Sequence, residues 1–507
     1  MPLSFLTRLR SGAAAALLAA VGATLLLHAP VARADVLGVD PVWRYAHAPV
    51  TPGQKAEIVA YDPATDTLWV AGVVGVDVLA RASGQLLAHV PVQSLGAVNS
   101  VAVAGGTAAL AIENGVDRTL PGVVLLIDTA TRQPLGAPVA VGSLPDMLTF
   151  TPDGARLLVA NEGTPNPRPT PPGLSAADPQ GSVSVIDVAT RAVTTIPIDA
   201  SIPGHDTLRL FPATGSLPTQ PATYSAYDPE PEYIAVDPTG RVAWVGLQEA
   251  NGIAVLDLKT LAFERIFNLG LKDFSLPGNE IDPNDQDGRI ELRRVPVQGL
   301  YQPDSIAAFK HRGATYFALA NEGDARDNGS ADSEDERRGS AGGDDIEYVP
   351  NGSELGRLNF SNVDSARGGP LVKFGGHSFS IRDATGAVVY DSGSLLDREA
   401  VRLGLYDDGR SDNKGVEPEG LALLSIKGRT LAFVGLERTL KSALAVFDVT
   451  DPFDVQHLDT VVGDGDLSPE GLVAFEAGDR WYVAVAHEVS DTTTLYEIRL
   501  DRRAKPR

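Results

Sequence analysis

The stretch EYIAVDPTGRVAWVGLQEANGIAVLDLKT, residues 232–260, decides the fold. An alternating apolar run at 233–236 meets the turn Asp237-Pro238-Thr239-Gly240, and a second run follows at 242–247. A third run, 252–258, carries Asp257 near its end. Pro, Asp and Gly supply the backbone conformations that tight hairpins need, and the period of two in the flanking runs is that of β-strands. The unit is therefore three antiparallel strands, with Glu232 before the first and Glu249 after the second.

The unit recurs. Copies begin at Glu57, Asn99, Asp146, Asp304, Glu419 and Glu470, as in DMLTFTPDGARLLVANEG (146–163) and EGLVAFEAGDRWYVAVAHEV (470–489). Their first apolar anchors, Ile58, Val101, Leu148, Ile234, Ile306, Leu421 and Leu472, are spaced by 43, 47, 86, 72, 115 and 51 residues. The short spacings match one four-stranded propeller blade of about 40–50 residues, and the long ones a blade plus an insertion. The expectation is an all-β, seven-bladed β-propeller over residues 35–507 with long loop insertions, in preference to two stacked β-sandwiches. Residues 41–50 are expected to close the last blade as its outer strand, and no amphipathic helix is expected to interrupt the series. Residues 163–180, 201–231 and the acidic stretch 323–370 read as loops.

Composition narrows the function classes. The chain of 507 residues carries a formal charge of −23 and no cysteine. Residues 1–34 read as a signal peptide: Arg8 and Arg10, then the apolar SGAAAALLAAVGATLLLHA, then Ala32-Arg33-Ala34 before the cut. Removing them takes away three arginines and no acid, so the mature charge is −26. Such a surface repels nucleic acid and anionic membranes and attracts cations. The mature protein is expected to be a periplasmic or extracellular monomer with no transmembrane segment. Cysteine nucleophiles and thiolate metal sites are excluded. The sequence contains no G-x-S-x-G elbow, H-E-x-x-H pair or P-loop.

The repeat phase places the carboxylates. In a propeller the first strand of each blade lines the channel and the second returns to the same mouth. Glu57, Asn99, Asp146, Glu232, Asp304, Glu419 and Glu470 precede the first strands. Glu113, Glu162, Glu249, Glu322, Glu437 and Glu488 follow the second. Two rings of acid are expected at one channel mouth, where either local cations and backbone N–H groups or bound metal must offset them. Ca²⁺, which takes six to eight oxygens, suits them better than zinc. Glu162, Glu232, Asp304, Glu322, Glu419, Glu437, Glu470 and Glu488 are the candidate ligands. Asp282, Asp285 and Asp287 in IDPNDQDGRIEL form a second candidate, although Pro283 and Arg294 occupy two EF-hand ligand positions.

Several longer stretches add a resemblance. PDSIAAFKHRGATYFALANEGDARD, FGGHSFSIRDATGAVVYDSGS, RSDNKGVEPEGLALLSIKGRTLAFVGLER and FSLPGNEIDPNDQDGRI resemble the choice-of-anchor I family. That family includes mesenchyme-specific cell-surface glycoproteins and bacterial proteins labelled atypical alkaline phosphatases. Val416 stands where the family usually has proline. The resemblance implies a propeller and adds phosphatase activity to the readings.

Two functions follow. One is a metal-dependent phosphoesterase, with Ca²⁺ or another divalent cation, acting on a small phosphoester, with Glu322, Asp324, Asp412, Glu419 and Glu470 as ligands or bases and Arg326, Lys414 and Arg438 holding the phosphoryl group. The other is a non-catalytic extracellular protein that binds cations, mineral or a polymer. The many acids of the insertion, among them Asp327, Asp332, Glu334, Asp335, Asp344, Asp345 and Glu347, favour the second. A lactonase- or phytase-like esterase would use the same mouth.

Overall fold

The computed structural model describes residues 36–164, 179–210, 229–326, 335–339, 349, 355–365 and 370–500. The expected signal peptide and most of the acidic stretch lie outside these residues. The described chain is almost entirely β, built chiefly from antiparallel sheets. The 232–260 unit is the sheet Pro231–Val236, Val242–Leu247, Gly252–Asp257 and Ala262–Asn268. Among the described residues, five further sheets have four strands and one has a fifth short strand at its edge.

The first strands of these sheets touch one another in sequence order. Pro469–Ala477, the first strand of the last sheet, touches Val59–Asp62 of the first, so the circle closes. The N-terminal strand Val36–Ala46 is the outer strand of the last sheet, paired antiparallel with Thr492–Leu500. Chain start and chain end thus share one sheet, close to where the sequence places the closure.

Strand chemistry explains the packing. Middle strands such as Thr67–Gly72 are buried along their whole length, so they read as continuous apolar runs. Large side chains fill the gaps between neighbouring sheets: Trp244 stacks on Phe317 with centroids 3.7 Å apart, and Phe379 packs on Phe447 at 4.9 Å. The recurrent aspartate near the end of the third strands closes the next turn. Asp128, Asp187 and Asp257 accept the N–H groups of Thr131, Thr190 and Thr260 at 2.7, 2.8 and 2.7 Å.

Two expectations are corrected. A helix does interrupt the series, Leu395–Leu403, with Gly404 ending it in the left-handed region. Its apolar Leu396 and Ala400 are buried, and at nine residues it is too short for its periodicity to stand out in the sequence. The insertions also hold more than loops. Glu336–Arg338 pairs with Asn359–Ser361, and Leu371–Lys373 joins Val297–Leu300 and Leu271–Asp273 in a small sheet. Strands of three or four residues are too short to show alternation.

Candidate functional site

Each inner strand starts with a β-bulge, and the bulge carries an acid in every case but Asn99. In the first sheet Glu57 N–H donates to Ala71 O at 3.0 Å while Ala71 N–H donates to Ile58 O at 2.8 Å, so two residues face one. Asp304 and Ser305 face Ala320 in the same way, at 3.1 and 3.0 Å. The register slips at Asn99, Asp146, Glu232, Glu419 and Glu470 as well. Bulges re-aim a side chain, and five of the polar groups so placed, Asn99, Asp146, Asp304, Glu419 and Glu470, line one cavity. In five of the inner strands proline precedes the acid: Pro145, Pro231, Pro303, Pro418 and Pro469. The residue before proline adopts positive φ at Leu144, Gln302, Glu417 and Ser468, 46°, 43°, 48° and 55°. Such backbone is uncommon for non-glycine residues and marks these starts as held by their surroundings.

The second tier is tied to the first through the backbone. Glu162 N–H donates to Leu144 O and Glu437 N–H to Glu417 O, both at 2.9 Å; Glu488 N–H donates to Ser468 O at 3.0 Å. Each acceptor lies two residues before a first-tier acid. Glycine after the acid lets neighbouring bulges approach: Gly471 N–H donates to Glu57 O at 2.9 Å, and a Cβ at Gly420 would lie 1.9 Å from Glu470 O. The amides beside the second tier face inward as pins. Asn161 donates to Ser184 Oγ at 2.9 Å and Asn321 to Ser380 Oγ at 3.0 Å.

The carboxylates perturb one another across the circle. Burial, then Glu437 and Glu470, pushes the Glu419 carboxyl well above its ordinary range. Burial, then Glu57 and Glu488, does the same to Glu470. Burial, then Glu249 and Asp304, raises Glu232; burial, then Glu162 and Asp304, raises Asp146. Burial takes Glu57 and Glu437 to about 7, Glu249 to about 8 and Asp304 to about 6. Glu162 and Glu322 are raised by burial against the opposing pull of Thr164 and Lys414 respectively. Acids from distant parts of the chain, Glu162, Glu322, Glu437 and Glu488 included, therefore share one electrostatic environment. Oε2 of Glu232, Glu249 and Glu419 is buried with no hydrogen-bond donor among the described residues.

The candidate cations divide between two places. Arg326 is 2% exposed and pairs with Glu230, equally buried, at 2.5 Å, on the side of Glu162 and Glu249. Lys414 bridges Glu322 at 3.0 Å, Asp324 at 3.3 Å and Glu417 at 3.2 Å. Arg438 lies 2.8 Å from Glu437. Burial favours the neutral form of Glu417, yet Lys414 and Arg410 hold it below its ordinary value. Glu322, Glu417 and Glu437 bring one oxygen each within 4.8 Å of one another, a spacing that suits a metal ion. Beside them a cavity of about 220 Å³ is lined by Asp324, Glu336, Arg410, Asn413, Lys414 and Arg438. Asp412 is drawn away from this cluster, buried against Arg338 and Arg357.

The IDPNDQDGRIEL turn has its own partners. Asp282 accepts backbone N–H from Asn284 at 3.2 Å and Glu291 at 2.7 Å. Asp285 receives a two-pronged contact from Arg357 at 2.7 and 2.8 Å, and Asp287 pairs with Arg289 at 3.2 Å. This donor set is that of an arginine-braced turn, separate from the channel mouth.

Sequence reasoning missed Glu230, Arg410 and Glu417, and also Arg209. Glu417 carried a signal, its place before a Pro-acid pair at a strand start. Arg209 carried none: it braces the mouth by donating to Glu249 O at 2.9 Å while pairing with Asp335 and Asp364, which come from distant segments.

A cavity of about 260 Å³ lies among the inner strands. Asn99, Asp146, Asp304, Glu419 and Glu470 line it together with Ile58, Val101, Leu148, Leu421 and Leu472.

No curated protein matches the chain. Among solved structures, hydrazine synthase of Kuenenia stuttgartiensis aligns over 89% of this chain and 97% of its own, at 13% identity and a TM-score of 0.48. The Cps50 (Swd1) β-propeller domain of Myceliophteria thermophila aligns over 92% of this chain and 99% of its own, at 9% identity and a TM-score of 0.44. A family model for the choice-of-anchor I domain matches residues 57–452, which span every inner strand but the last, so the chain belongs to the choice-of-anchor I family.

Proposed function

We propose that this protein is a seven-bladed β-propeller, exported to the cell surface or beyond, that binds divalent cations, calcium foremost, at the acidic mouth of its channel. Family membership supports the location, since a choice-of-anchor domain implies a cell-surface or extracellular protein. No helix among the described residues is long and apolar enough to cross a membrane. The circular order of sheet contacts and the shared last sheet support the seven blades.

The observation that carries the cation reading is the imbalance of charge. Two tiers of acid from all but one of the inner strand starts converge, while Lys414, Arg410 and Arg438 are gathered around Glu322, Glu417 and Glu437 and Arg326 pairs with Glu230. Asp146, Glu232, Glu419 and Glu470 are raised mainly by burial and by neighbouring acids, and Asp304 by burial against the pull of Ser305 and Lys414. A hard divalent ion removes that cost, because carboxylate and amide oxygens are the donors Ca²⁺ prefers. The test is calorimetric titration of Ca²⁺ into chelator-treated protein and into a Glu419→Gln/Glu470→Gln variant. Saturable heat in the parent that weakens at least tenfold in the variant is expected; equal heats in both would remove the reading.

A second reading, metal-dependent phosphoester hydrolysis, is favoured by one observation. Arg410, Lys414 and Arg438 lie around a cavity beside the metal-sized group Glu322, Glu417 and Glu437. Cations adjoining a metal are what a transferring phosphoryl group requires. Phosphate release from an aryl phosphate, with and without Ca²⁺, tests it. Turnover equal to that of a Glu322→Gln/Glu437→Gln variant would leave the non-catalytic binding reading alone.

A further inference from the structure

Antiparallel order fixes which loops share an end of the molecule. The first strand of a sheet leads away from its bulge, the second returns, the third leads away and the fourth returns. Turns between second and third strands, and links from a fourth strand to the next first strand, therefore lie at the end that carries the bulges. In the last two sheets and the first, these loops bear exposed apolar side chains: Leu440 in 437–442, Leu467 in 463–468, Val489 in 488–491, Val50 in 47–58 and Val73 in 73–74. Leu440 and Val50 are 55% and 57% exposed. The loops form one arc, each hydrogen-bonded to the next. Ser442 N–H donates to Asp466 O at 2.8 Å, Leu467 N–H to Ser490 Oγ at 3.1 Å, His47 N–H to Asp491 O at 2.9 Å and Gln54 Nε2 to Gly75 O at 2.9 Å. Glu437, Glu488 and Glu57 stand in the same loops, so the arc sets acid beside apolar groups along its length. Single exposed apolar residues are ordinary, whereas a contiguous series beside charge marks an interaction face.

Elsewhere the chain covers an equivalent loop with its own residues. In the sheet that spans 231–268 the second-to-third-strand turn is 248–251, and Ala250 is 3% exposed. Leu208 packs into the same apolar cluster as Ala250. Arg209, next to it, donates its backbone N–H to Ala250 O at 3.2 Å and its guanidinium N–H to Glu249 O at 2.9 Å. An apolar side chain followed by an arginine thus caps a turn that presents acid and apolar residues together. No segment among the described residues does the same for Leu440, Val489, Val50 or Val73, which stay exposed.

We propose that this arc is a docking face for a partner protein, and that the partner presents an extended segment in which apolar and basic side chains alternate as Leu208 and Arg209 do. A second copy of this chain is disfavoured as the occupant, because a formal charge of −23 makes the copies repel. Anionic lipid is disfavoured for the same reason.

The experiment is fluorescence polarisation with the full-length mature protein and three labelled peptides, GLRGLRG, GSRGSRG and GLQGLQG, at constant ionic strength. The first is expected to bind about tenfold tighter than either of the others, since it alone supplies both chemistries. Two variants, Leu440→Ser/Val489→Ser and Val50→Ser/Val73→Ser, replace exposed side chains and are expected to melt as the parent does. Each should weaken GLRGLRG by about fivefold or more and leave GSRGSRG unchanged. Equal affinity for GLRGLRG and GSRGSRG means attraction by charge alone and overturns the proposal, as does an affinity for GLRGLRG that neither variant changes. Sedimentation of the parent, but not of the variants, with phosphatidylcholine vesicles would assign the arc to a membrane and likewise overturn it. Self-association of the parent that the variants abolish would assign it to a second copy, with the same consequence.

Discussion

Replacing Glu249 by glutamine should stabilise the protein by an amount that grows from pH 4.5 to about pH 8 and is full above it. Glu249 is 6% exposed and its Oε2 has no hydrogen-bond donor among the described residues. Burial is the main reason its carboxyl rises from 4.5 to about 8; Arg326 opposes and Glu162 and Asp324 assist. The unfolded chain releases this proton near 4.5 and the folded chain near 8, so between these values the folded protein holds more protons. Its stability therefore falls as pH rises through that window. One pKa unit corresponds to ~1.4 kcal/mol, so the full cost above pH 8 is between about 3 and 5 kcal/mol. Glutamine keeps the shape and carries no charge at any pH. Denaturant unfolding of parent and Glu249→Gln in chelator at pH 4.5 and pH 9 measures the difference. The variant should match the parent at pH 4.5 and exceed it by ~3 kcal/mol or more at pH 9. A variant less stable at pH 9, or a gap that does not change with pH, would refute the idea that the mouth stores unfavourable charge.

Other outcomes follow from the same coordinates. Lys373 is fully buried, hydrogen-bonded to Phe374 O at 2.9 Å and to His377 Nε2 at 2.6 Å, and burial lowers its amine to about 7. The unfolded chain binds that proton up to about 10.5, so the cost of burial is full below pH 7 and fades towards pH 10.5. Lys373→Met should raise stability by a few kcal/mol at pH 6 and by much less at pH 10, read from denaturant midpoints at each pH. Gly420→Ala should destabilise by ~2 kcal/mol or more, because its Cβ would meet Glu470 O at 1.9 Å and one bulge must move; calorimetric melting measures it. Deleting residues 36–46 strips the outer strand from Thr492–Leu500, and hydrogen exchange should show protection lost first along that strand while Pro231–Val236 stays protected.

Much of this architecture is written locally. The D-P-T-G turn at 237–240 specifies a hairpin from four residues, and the seven anchors recur at spacings that match one four-stranded unit or such a unit plus an insertion. The carboxylates at strand starts were legible for the same reason, since a repeat phase assigns each copy the same place. The helix Leu395–Leu403 and the three-residue strands of the insertion were not legible, because too few residues sample their period. The partners of the cations were hidden as well. Arg326 finds Glu230 across 96 positions, and Arg357 joins Asp285 to Asp412.

The sequence by itself determined the strands, the turns and the end of each strand pair that bears an acid, because those follow from periodicity and backbone preference within a few residues. Only the tertiary structure decided which acids are offset by a cation and which stand against one another. That depends on distances of a few ångströms between residues far apart in the chain, and Coulomb energies are set by those distances and by burial.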